Sequence, residues 1–251
     1  MKNIIDIQNL YTSIKGQVIH KGLSMSVKKG EIFGIVGGSG TGKTILINAI
    51  LGLRPYQGGR INIFGMDSAI VTSSFEYQKR MGILFQRGAL FSSLNVLQNI
   101  CVPMIEQGHI PQDCAELMGY YKMRLVGLPD ETATKLPDEL SGGMIKRAAF
   151  ARALALDADL IFLDEPTSGL DPISAEKFDK LILKLKNNLC LTIVMITHDL
   201  WSLAICDHIG VIVDQKMVTG TLAEVRKNPH PWIREYFSGN RSQGMLAGFF
   251  A

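Results

Sequence analysis

Residues 37–44 read Gly-Gly-Ser-Gly-Thr-Gly-Lys-Thr, with the β-rich run 32–36 before them and a helix-favouring stretch, 43–51, after. Few folds accommodate this. A glycine-rich turn whose backbone N–H groups face inward belongs where a buried strand hands over to a helix, at the corner of a βα unit. Gly37, Gly38, Ser39, Gly40, Thr41, Gly42, Lys43 and Thr44 satisfy G-x-x-x-x-G-K-[ST] in full. Side chains at the glycines would obstruct the inward turn, and the helix adds about half a positive charge at its N-terminus. Such a loop cradles phosphates. Lys43 is expected to reach the β- and γ-phosphates of a nucleotide, and Thr44 to ligate Mg²⁺.

Composition narrows the class. The 251 residues are enough for one large domain, or a domain with a subdomain, and 47% are apolar. A formal charge of +3 without a basic run gives no reason to expect nucleic acid. Cys101, Cys114, Cys190 and Cys206 have no C-x-x-C spacing and read as reduced thiols. Asp6 and Gln8 interrupt any signal-peptide pattern, and no apolar run approaches the ~18 residues of a membrane span. The expectation is a cytoplasmic chain that meets the membrane through a partner.

The order of elements is that of an α/β protein. Runs 4–7, 23–27 and 60–64 read as half-buried, antiparallel strands of a small β subdomain. Run 82–85 is a buried strand ending at Gln86. From Arg87 to about Glu139 the pattern turns helical, with breakers at Pro103, Gly108, Pro111, Gly127, Pro129 and Pro137. Helix 144–156, strand 160–163, helix 174–187, strand 191–196, strand 210–214 and helix 222–227 follow, and Pro229 and Pro231 open a tail.

Three further sites carry chemistry. Asp164 ends a buried strand, where a carboxylate is costly without a partner such as Mg²⁺. Glu165 beside it is the candidate general base for an attacking water. Ser141-Gly142-Gly143 opens a helix, with Ser141 near the N-cap; alone it is an ordinary turn. Its place between the phosphate loop and the two acids implies a second anion-binding helix N-terminus, useful if a nucleotide is clamped between two copies.

That set of motifs resembles the ATPase subunit of an ABC transporter, over roughly residues 4–228. The resemblance implies a P-loop NTPase (RecA-like) core, an antiparallel β subdomain and an inserted helical subdomain at about 87–140. It also implies ATP as substrate, and Ser141, Gly142 and Gly143 binding the γ-phosphate held by a second copy. Gln86 matches the Q-loop, which senses Mg²⁺ and water. Asp171, in Ser168-Gly169-Leu170-Asp171, matches the D-loop at the dimer seam, and also suits a helix N-cap with Pro172 at N1. His198 matches the switch histidine that contacts the γ-phosphate. The family's adenine-stacking aromatic would fall near Lys15 or Gly16, and neither is aromatic; Tyr11 is out of register. Either the base is weakly held or Lys15 lies over it.

Residues 82–96 (Gly-Ile-Leu-Phe-Gln-Arg-Gly-Ala-Leu-Phe-Ser-Ser-Leu-Asn-Val) resemble the Q-loop region of the Mla-type ATPases, and Met144 followed by Ile145-Lys146-Arg147, and the tail 231–239, are similar to that group too. That group implies lipid transport at the cytoplasmic face of the inner membrane, with a multispanning permease and an MCE-domain protein. It leaves room for a small regulatory subunit. The tail, 229–251, would cross to the partner ATPase, its apolar end 245–250 serving as the docking segment. Leu90, Phe91, Leu94, Val96 and Leu97 are expected to cluster, part core and part surface for a permease helix. The competing readings are an ABC transporter for another solute, a soluble ABC ATPase and a catalytically dead interaction subunit. One phosphate loop and no sustained heptads argue against the second; Lys43, Glu165 and His198 argue against the third.

Overall fold

The structure is a computed structural model and describes residues 2–238. The apolar segment 245–250, expected to dock on a partner, lies outside the described residues. In chain order the first elements are β1 (Asn3–Ile14), β2 (Gln17–Lys28), β3 (Ile32–Gly37), α1 (Lys43–Ile50), β4 (Gly58–Ile63), β5 (Met66–Asp67) and α2 (Ser68–Ser73). Then come α3 (Phe75–Gln78), β6 (Met81–Leu84), α4 (Val96–Val102), α5 (Gln112–Leu125), α6 (Gly142–Ala153), β7 (Leu160–Asp164) and α7 (Pro172–Leu189). The last are β8 (Thr192–Ile196), α8 (Leu200–Ala204), β9 (His208–Val213), β10 (Lys216–Gly220), α9 (Leu222–Val225) and α10 (Pro231–Ser238). The chain divides into two compact units. Unit 1 runs to Thr72 and resumes at Val194; unit 2 is Ser73–Ile193.

In unit 1, β1 pairs antiparallel with both β2 and β4, placing Ile5 opposite Val27 and Ile63, and Ile7 opposite Met25 and Ile61. These side chains are buried, so one face of this sheet is core. The hairpin strands are longer than the sequence runs suggested, because their outer halves are polar. Lys15 and Gly16 form the two-residue β1–β2 turn, both at positive φ (47° and 81°), as a type I′ turn requires. That is the position where an adenine-stacking aromatic was sought. Strand β3 is buried at every residue and pairs in parallel with β9, whose other edge carries antiparallel β10. β10 went unread in the sequence because its turn is Asp214-Gln215, both at positive φ without a glycine.

In unit 2, β6 and β7 run parallel, and α6 packs on β6 and against α4, α5 and α7. The approach is close. A Cβ on Gly82 would lie 2.1 Å from the Ala153 carbonyl oxygen. Buried Ala148, Ala149, Phe150, Ala151 and Ala153 make α6 the centre of this unit's core. Pro103 does not break the insert as expected. The chain continues from α4 into a π-turn, Pro103–Gln107, with Gly108 N–H donating to the Pro103 carbonyl.

His20 on β2 lies fully buried beneath the phosphate loop, its Nδ1 2.8 Å from Thr12 Oγ1. Burial lowers its pKa to about 4. The unfolded chain therefore binds a proton that the fold refuses between about pH 6.5 and 4, and stability falls as pH drops through that window. Urea melts at pH 7.5 and pH 5 should show the wild type losing about 2 kcal/mol more than His20→Leu over that interval.

Candidate nucleotide-binding site

Unit 1 carries the phosphate loop at the end of β3. Gly42 sits at φ 95°, and a Cβ there would lie 2.4 Å from Ile19 and 2.7 Å from the His20 ring. Only glycine fits. At Gly37 a Cβ would meet Thr41 Oγ1 at 2.6 Å. Ser39, Gly40 and Thr44 face solvent. Gly42 caps α1 without a side-chain acceptor, and the first turn holds no acid, so its positive end is open to an anion. Lys43 is buried and folded onto the loop, donating to the carbonyl oxygens of Gly37 (2.8 Å) and Gly38 (3.0 Å).

His198 follows β8 and is exposed. Thr197 N–H donates to Ile35 C=O on β3 at 3.3 Å, which ties the two strand ends together. Asp199 caps α8 and accepts from Trp201 N–H. The backbone of His198 is held from the C-terminal side: Tyr236 Oη donates to its carbonyl oxygen at 3.0 Å.

Unit 2 carries the acids. Asp164 ends β7, half-buried, and Glu165 takes the left-handed conformation at φ 48° although it precedes a proline. Such strain costs about 1–3 kcal/mol and collects at functional sites. Gln86 Nε2 donates to Glu165 Oε2 at 2.8 Å, so two of the residues singled out in the sequence meet. Ser141 caps α6 through Met144 N–H. Gly142 lies beside Leu170, where a Cβ would sit 3.5 Å from its methyl, while Gly143 faces open space. Asp171 caps α7 through Ser174 N–H at 3.0 Å, and hydrogen bonding from the Ser174 hydroxyl, with this N–H behind it, keeps its carboxyl below the usual range.

A profile of the ABC transporter family matches residues 20–168. This chain belongs to that family. The ABC cassette is 38% identical, over 95% of its length and 91% of the relative's, to the intermembrane phospholipid transport system ATP-binding protein MlaF of Haemophilus influenzae. It is 32% identical, over 94% of its length and 69% of the relative's, to a probable ribonucleotide transport ATP-binding protein, mkl, of Mycobacterium leprae. Among solved structures it is similar to the dimeric, post-hydrolysis cassette MJ0796 bound to ADP and Pi. There the TM-score is 0.77 at 26% identity, covering 87% of this chain and 98% of that one. The cassette is therefore an ATP-binding P-loop protein of ABC ATPase fold.

Reading the sequence missed two supports of this cassette. Lys146 on α6 is buried, and Asn99 on α4 is fully buried. Asn99 accepts from Phe91 N–H (2.7 Å) and turns its amide to the carbonyls of Phe91, Leu94 and Asn95 (3.1, 2.8 and 3.0 Å). It staples the loop after Gln86. Of the cluster expected there, Phe91 is exposed, Leu90, Leu94 and Leu97 are half-buried, and Val96 is core. Phe85, Phe91, Val102, Pro103 and Leu156 line a groove of about 350 Å³. Arg152 lies over the Phe91 ring at 5.8 Å and donates to Gly88 and Ala89 carbonyls. Among the described residues no helix is long and apolar enough to cross a membrane. Asn99→Ala should destabilise the protein by about 1–2 kcal/mol in urea titration, since it removes the buried amide that holds four backbone groups of this loop.

Proposed function

We propose that this chain is the ATP-hydrolysing subunit of an inner-membrane ABC transporter for phospholipids, working as a homodimer on the cytoplasmic face of the membrane. The observation that carries the lipid assignment is the similarity to MlaF, 38% identical over 95% of the chain, against 32% for the mycobacterial relative over 94%. The Gln86–Glu165 contact supports the hydrolytic role.

In this reading Gly37 to Gly42 wrap the phosphates with backbone amides, and Lys43 moves from its two loop carbonyls onto the β- and γ-phosphates. The donor set offered for Mg²⁺ is the Thr44 hydroxyl, the Gln86 amide and the Asp164 carboxylate. All are oxygens, few in number, as suits an ion that keeps water and phosphate in its shell. A Mg²⁺ ion held by these residues would supply positive charge to offset that of the phosphates. Glu165 takes the proton of the attacking water, oriented by Gln86, and His198 contacts the γ-phosphate. Ser141, Gly142 and Gly143 of one copy bind the γ-phosphate held by the other, with Asp171 at the seam. The groove around Phe91 receives a permease helix. An MCE-domain protein and a small regulatory subunit complete the assembly, with the 229–251 tail reaching to the partner ATPase.

Glu165→Gln should give a dimer that persists with ATP, by size-exclusion chromatography, while steady-state turnover falls about 10²–10⁴-fold. Normal turnover would remove Glu165 as the base. Affinity purification from solubilised membranes, with mass spectrometry of proteins and lipids, tests the assignment. A multispanning permease, an MCE-domain protein and phospholipid are expected; a permease with a soluble-solute receptor would favour transport of another solute, such as the ribonucleotide named for the mycobacterial relative. Phe91→Asp should abolish recovery of the permease.

A further inference from the structure

The helix that opens with Ser141-Gly142-Gly143 carries one cation that faces neither solvent nor a carboxylate at hydrogen-bonding distance. Lys146 lies one turn into α6, 4% exposed. Its ammonium donates to the carbonyl oxygen of Gln86, to that of Glu165 (2.9 Å) and to Ser168 Oγ (3.4 Å). Ser168 Oγ in turn donates to the same Glu165 carbonyl at 2.9 Å. Two segments distant in sequence thus end on one charged atom: the loop after β6, and the turn that leads from the end of β7 to α7.

Burying an ammonium among neutral acceptors is costly. Burial lowers its pKa to about 8, against the opposing pull of Asp164 and Glu165. Three acceptors fill its three N–H donors, which is how a buried lysine is tolerated. The backbone it holds is the strained one: Glu165 at φ 48° has its carbonyl fixed by Lys146 and Ser168 while its carboxylate takes Gln86. Arg152, farther along α6, holds the Gly88 and Ala89 carbonyls of the same loop. The 86–89 loop is therefore clamped to α6 by two cations, one beside the acids and one beside the groove.

We propose that Lys146 is a positioning residue that locks Glu165 and Gln86 in the hydrolytic geometry and links the loop lining the groove to the catalytic base. The inference rests on Glu165 being the general base. A displacement of the groove loop reaches the Glu165 backbone through one ammonium, without a change in the phosphate loop. Loss of Lys146 leaves the Glu165 carbonyl to Ser168 alone, cuts its tie to the Gln86 carbonyl and leaves nucleotide binding by Lys43 untouched.

The test uses the full chain, with steady-state ATPase kinetics, a fluorescent ATP analogue for binding and thermal melts. Lys146→Met should lower kcat at least about tenfold, with KM and analogue Kd within about twofold. Lys146→Arg should recover kcat to within about threefold of wild type. In a Glu165→Gln background Lys146→Met should have no further effect, because both act through one base. Where the Met variant does not fold, Lys146→Gln takes its place with the same thresholds. Normal turnover by Lys146→Met, or equal loss of kcat and analogue binding without rescue by Arg, overturns the proposal; so does an undiminished effect in the Glu165→Gln background. If Glu165→Gln itself turns over normally, the base assignment fails and the inference falls with it. If Glu165→Gln is slow and Lys146→Met is normal, only the inference fails.

Discussion

Among the described residues no side chain caps the N-terminus of α1, the helix on which the glycine loop of unit 1 ends. A buried strand delivers the chain to the loop, the glycines keep Cβ atoms out of the turn, and α1 starts without a side-chain cap. A capping carboxylate would have stabilised the helix by about 1 kcal/mol and occupied the place of a phosphate. The fold forgoes it. Lys43 lies against the Gly37 and Gly38 carbonyls, which keeps its charge solvated by protein until an anion competes for it.

Unit 2 solves the complementary problem of holding a carboxylate at a strand end. Asp164 and Glu165 follow four fully buried residues, and the chain must reverse at once through Pro166. The left-handed Glu165 makes that reversal. Its cost is offset by hydrogen bonds, among them those from Lys146, Ser168 and Gln86. The same chain of contacts brings the loop after β6 to the acids, so one helix orders both.

Much of the fold was legible. Continuous apolar runs marked β3, β7 and β8, because strands buried on both faces carry no alternation. Asp171 with Pro172 marked the start of α7, and Ser141 that of α6, because capping is local chemistry. The outer halves of the β1–β2 hairpin, β10 and α2 were not legible. Their residues are mixed in polarity, and the Asp214-Gln215 turn has positive φ without the glycine that usually announces it. The π-turn at Pro103 carries the chain on where the sequence suggested a break.

The sequence by itself determined the candidate site motifs and their order, because each is contiguous: a glycine turn, a strand-end acid pair, a capped helix. The tertiary structure alone decided which side chains support them. Lys146, Asn99 and Tyr236 act on backbone carbonyls, and those that Lys146 and Tyr236 meet belong to segments far away in sequence; carbonyls are present at every position, so no residue pattern reveals which ones will be met. Close packing around α6 decides that, by burying one ammonium where the carbonyls of two distant segments converge.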